Sequence, residues 1–114
     1  MLAEASPVRI ALTTVSSHEE GRRLARALVE RRLAACVNLV PNLTSVYRWQ
    51  GTVDEAAETL LLIKTTAEQL SALEAALGEL HSYEVPEFLA LTPESGSQAY
   101  LAWLLNSVND SANL

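Results

Sequence analysis

Short apolar runs and amphipathic stretches alternate along this chain. Val8 to Val15, apolar and β-branched after Pro7, predicts a strand. Ser17 with Glu20 three places on has the form of a capping box. It opens a helix to about Arg32 in which Leu24, Ala27 and Leu28 make one stripe with arginines opposite. Ala34 to Val40 predicts a second strand closed by Pro41-Asn42, and Leu43 to Trp49 continues extended. Gln50-Gly51 turns the chain into Thr52 to Glu58 and then Thr59 to Thr65, where Leu60, Leu61, Leu62 and Ile63 are apolar to both faces. A long hairpin about Gly51 is the economical reading. Thr66 with Gln69 repeats the capping box before Leu70, Leu73, Leu77 and Leu80, a helical stripe. Pro86 ends helical geometry and leaves His81 to Glu84 as a loop. Glu87 to Thr92 predicts another strand, and Ser97 to Ser107 a short helix, apolar around most of its girth.

This order of elements is that of an α+β fold, the ferredoxin-like split βαβ sandwich: an antiparallel four-stranded sheet, two helices on one face and a short C-terminal helix. Two helices cover one side only. Strands apolar to both faces therefore need a second cover, either another copy of the chain or the terminal helix folded back. Homo-oligomerisation is the favoured expectation, and the pattern does not separate dimer from trimer.

Composition narrows the class. The 114 residues are read as one domain, residues 1–114, with a core from about 8 to 108 and flexible termini. Apolar residues make up 49% and charged ones 19%, below the ~25% of ordinary domains, which again points to a covered outer face. A net charge of −6 argues against a nucleic-acid partner. Arg22, Arg23, Arg26, Arg31 and Arg32 interleave with Glu19, Glu20 and Glu30; they read as a solvated helix flank, or alternatively as an anion or partner patch. With a single cysteine, no signal peptide and no membrane span in the sequence, a cytoplasmic protein without a membrane partner is expected.

Candidate chemistry falls in two places. Cys36 is either a small buried hydrophobe, a thiolate for a soft metal, or a nucleophile. His18 is an exposed helix-start residue. His81, followed by Glu84 and Glu87, offers imidazole and carboxylates of the kind that hold zinc, copper or nickel, or else a structural network at the start of a strand. Tyr47, Arg48, Trp49 and Lys64 could hold a small anionic ligand in a cleft between subunits or serve interface packing. No nucleophile-base pair and no glycine-rich phosphate loop is present, so a non-enzyme is expected.

The stretches Leu33-Ala34-Ala35-Cys36-Val37-Asn38, Ser45-Val46-Tyr47-Arg48-Trp49-Gln50-Gly51, Leu62-Ile63-Lys64-Thr65-Thr66 and His81-Ser82-Tyr83-Glu84-Val85-Pro86-Glu87 closely resemble the CutA-type divalent-cation tolerance proteins, in that family's order. The resemblance implies a ferredoxin-like subunit in a homotrimer, similar in architecture to the PII signalling proteins, and a protein linked to copper or another divalent cation. It also implies metal contacts at Cys36, His81 and Glu84. One departure is Ser82, where the family usually has proline. A PII-like sensor of an anionic metabolite is the alternative function.

Overall fold

The computed structural model of the chain describes residues 1–109. In chain order its elements are β1 (Leu2–Glu4), β2 (Val8–Val15), α1 (His18–Glu30), β3 (Cys36–Trp49), β4 (Thr52–Thr66), a 3-10 turn at Ala67–Gln69, α2 (Leu70–Leu80), β5 (Leu89–Leu91), β6 (Ser95–Ser97) and α3 (Gln98–Val108). The main sheet runs β3-β4-β2-β5 with every neighbouring pair antiparallel. Hence β2 and β3 are parallel with β4 between them, and β4 and β5 are parallel with β2 between them. Each split pair is bridged by a helix, which is the expected α+β arrangement.

Alternation decides what each face meets. Ala11, Val15, Leu61 and Ile63 point to α1 and α2 and close a core with Leu24, Leu28, Leu73 and Leu77, all buried. Close approach of α1 depends on Gly21, because a Cβ there would stand 3.1 Å from Leu39 and 3.2 Å from Leu61 and Val15. The opposite face carries Ile10, Leu12, Leu60, Leu62, Cys36, Val40, Leu89 and Leu91 by the same register. There α3 lies across one end only, where Leu101, Leu104 and Val108 bury Val8 and Ala35 in a second cluster. Leu89 and Leu91 stay at least half exposed. The terminal helix therefore does fold back, but it leaves most of this face uncovered.

Several local expectations are revised. Ser17 does cap α1, its hydroxyl accepting from the Glu20 N–H at 3.1 Å, but the Glu20 carboxylate does not return to complete the box. It is used elsewhere. Thr66 makes no side-chain cap at all. Helix α1 closes with Leu33 N–H on the Leu28 carbonyl and Arg32 N–H on that of Val29, a Schellman pattern with Arg32 at φ 57° where glycine is usual. The Arg32 guanidinium also donates to the Ser107 carbonyl, tying the ends of α1 and α3. Leu2–Glu4 form β1 and pair with β6, an addition the sequence pattern did not suggest. The expected flexibility of the C-terminus concerns residues beyond 109, outside those described.

Pro41-Asn42 does not end a strand. It forms a bulge inside β3: three steps from Val40 to Leu43 oppose two from Leu60 to Glu58, so β3 carries one extra residue. Asn42 takes φ 63°, a region asparagine tolerates, and Pro41 is accepted because β3 is an edge strand. The extra residue inverts the alternation. Beyond it, Ser45, Tyr47 and Trp49 share the open face with Val40, whereas unbroken alternation through the same residues would turn them toward the helix side.

Candidate functional site

Strand β2 ends opposite Thr59, so the hairpin from Leu43 and Glu58 outward projects past the rest of the sheet. The segment after α2 runs alongside this overhang. Between them lies a cleft of about 860 Å³ lined by Thr14, Ser45, Val46, Tyr47, Trp49, Glu58 and the stretch 82–87.

The segment is fixed by a buried network. The side chain of His81 is fully buried: Nε2 lies 2.8 Å from the Thr14 carbonyl and Nδ1 accepts the Tyr83 N–H at 3.0 Å. A ring nitrogen facing a carbonyl must donate, so the imidazole is neutral with its proton on Nε2. Both nitrogens are thereby occupied. This also explains why β5 is shorter than the predicted Glu87 to Thr92. In register, continued pairing would bring Glu87 opposite Thr14, whose carbonyl His81 has taken.

Glu20, the supposed capping residue, is the second anchor. It is buried, accepts the Ser16 hydroxyl at 2.9 Å on Oε1 and the Ser82 N–H at 3.0 Å on Oε2, and lies 4.0 Å from His81 Nδ1. Burial pushes its carboxyl up, but the hydrogen bonds from Ser82 and Ser16 outweigh that and hold it below the usual glutamate range. Tyr83 packs its ring on His81 at 4.7 Å and donates its phenol to Glu58 at 2.5 Å. Burial, the hydrogen bond to Glu58 and that carboxylate's charge push the phenol well above its ordinary value, so it remains a donor at neutral pH.

The sequence-derived candidates separate accordingly. Tyr47, Trp49, Glu84 and Glu87 meet at the cleft. Arg48 alternates to the other side of β3, and Lys64 lies near the far end of the sheet with Nζ 5.9 Å over the Tyr100 ring. Cys36 pairs across Lys64 to Ile10, four residues along β2 from Thr14. That puts it on the order of 16 Å from the His81 anchor point. Its thiol faces Asn38 Oδ1 at 3.8 Å. Cys36, His81 and Glu84 are thus not brought together within one chain, and among the described residues no three His, Cys, Asp or Glu side chains converge. His18 sits exposed at the start of α1, as expected. Glu20 and Glu58 were missed as site residues. The alternation of Glu58 with Leu60 and Leu62 was the available signal for the second, whereas the capping spacing concealed the first. Among the described residues no helix is long and apolar enough to cross a membrane.

Comparison with known proteins fits this geometry. Residues 9–107 match the family model for the CutA1 divalent ion tolerance protein. The divalent-cation tolerance protein CutA of Thermus thermophilus is 54% identical over 95 residues, covering 83% of this chain and 92% of its own length. Human protein CutA is 43% identical over 107 residues, covering 91% of this chain; the chain spans 60% of that protein, as it spans 59% of a chloroplastic rice relative. CutA from Synechococcus elongatus superposes with a TM-score of 0.92 at 46% identity, covering 96% of each chain. With both sequence and fold matched over nearly its full described length, the chain belongs to the CutA1 divalent ion tolerance family.

Proposed function

We propose that this protein is a cytoplasmic metal-tolerance subunit that works as a homotrimer and binds copper or another divalent cation at the joins between copies. The observation that carries the assembly is the sheet face left half open beside α3, with Leu89 58% and Leu91 50% exposed. An apolar face of that kind is covered most readily by another copy. Within one chain the donors do not fit a metal: the Cys36 thiol and the Glu84 carboxylate lie apart and both His81 nitrogens are engaged. A site between copies that joins Cys36 of one to Glu84 of another removes that conflict, with His81 holding the loop that carries Glu84. Light scattering should give three times the 12.4 kDa subunit mass, reduced by Leu91→Glu. Calorimetric titration with Cu²⁺ in reductant-free buffer should weaken in Cys36→Ala and Glu84→Ala and to a smaller degree in His81→Ala. Identical weak binding in these and the parent protein would remove the assignment.

A second reading is a PII-like small-molecule sensor using the cleft. It is favoured by Tyr47 and Trp49 lining one wall. A Synechococcus elongatus relative at 45% identity is known in complex with Bis-Tris, a tertiary amine. An anionic metabolite suits the cleft poorly, since Arg48 and Lys64 lie outside its lining while Glu58, Glu84 and Glu87 lie within it.

A further inference from the structure

We propose that the cleft between the overhanging hairpin and residues 82–87 binds a small organic cation, a protonated alkylamine or quaternary ammonium. This rests on the small-molecule reading of the cleft and not on the metal site. Three aromatic rings line it, Tyr47 and Trp49 from β3 and Tyr83 from the facing segment, together with the carboxylates of Glu58, Glu84 and Glu87. No arginine, lysine or histidine is among the lining residues. Its volume, about 860 Å³, is within the range of ligand pockets.

The chemistry selects among cations. A hard divalent ion needs several oxygen donors converging on one point, and among the described residues no such group is present. An ammonium group asks for less: ring faces within ~6 Å and nearby, non-coordinating negative charge. Tyr83 is held for this use on both sides, its phenol on Glu58 and its ring and N–H on His81. Tyr47 and Trp49, 43% and 45% exposed, both line the cleft and leave surface for a ligand. Val46, Val85 and Pro86 supply apolar surface for the alkyl part.

The test uses the full chain in phosphate buffer with Trp103→Phe, leaving Trp49 as the sole tryptophan. Its fluorescence is titrated with tetramethylammonium, choline and n-butylammonium, with 3,3-dimethyl-1-butanol as the uncharged mimic of choline and with Cu²⁺ alone. A saturable response to at least one ammonium probe is expected, with the uncharged mimic weaker by about fivefold or more. Trp49→Leu, followed by calorimetry, and the pair Glu84→Gln and Glu87→Gln should each weaken binding by a similar factor while circular dichroism stays unchanged. No saturable response to any of the three ammonium ions, or an equal response to the alcohol, overturns the proposal. Ammonium binding that survives in Cys36→Ala, where Cu²⁺ binding is lost, separates this site from the metal site.

Discussion

The backbone N–H of Ser82 lies 3.0 Å from Oε2 of Glu20, a residue 62 positions earlier and on another element. The family resemblance leads to an expectation of proline at this place, and proline has no N–H to give. This chain therefore holds its cleft segment by a donor of its own.

Ser82→Pro should leave the buried Glu20 carboxylate short of one partner. A loss of about 1 to 2 kcal/mol is expected in urea unfolding, after allowing for proline's restriction of the unfolded chain. In a Glu20→Gln background the same change should cost less, because the acceptor is no longer charged. Equal costs in both backgrounds would show that the bond carries no energy.

Acid should find the same network. The folded state holds the Glu20 carboxyl below its unfolded value, so its contribution is complete above about pH 4.3 and is lost as pH falls through the folded value. Stability measured from pH 6 to pH 2 should decline less steeply in Glu20→Gln than in the parent. Parallel curves would contradict this.

Two helical glycines should respond oppositely to alanine. Gly78 in α2 has nothing within 4 Å of the added Cβ, so Gly78→Ala should stabilise by roughly 0.5 to 1 kcal/mol. At Gly21 the same gain meets three side chains at 3.1 to 3.2 Å, and the change should be neutral at best. Thermal midpoints of the two variants decide the matter.

Thr13 is fully buried on the helix-facing side of β2, and its hydroxyl is the buried side-chain polar atom without a hydrogen-bond partner among the described residues. Thr13→Val removes an unmatched polar group and keeps the shape. A gain of about 1 kcal/mol is expected, read by chemical denaturation.

The order of the main strands and helices was legible because each has its own periodicity and the core needs nothing else. What was not legible depends on partners distant in sequence. Glu20 has the spacing of a capping residue, and only the return of the chain at Ser82 diverts its carboxylate. Pro41-Asn42 carries every local mark of a turn, yet the edge position of β3 lets the strand continue through it. Tyr47, Arg48 and Trp49 are adjacent in sequence and were grouped for that reason, but strand alternation divides them.

The bulge at Pro41-Asn42 absorbs one residue for which β4 has no partner, and the ladder resumes unshifted beyond it. Deletion of the single codon for Asn42 is expected to leave the whole ladder in register, because Leu43 then follows Val40 by two steps as Glu58 follows Leu60, so Trp49 keeps its place in the cleft and the quenching of its fluorescence is unchanged. Arg48 would turn to the cleft side only if the bulge were lost with the chain length unchanged, and an acidic, aromatic recess would then acquire a guanidinium. Ligand charge preference in this hairpin consequently depends on a backbone irregularity that lies outside the cleft itself.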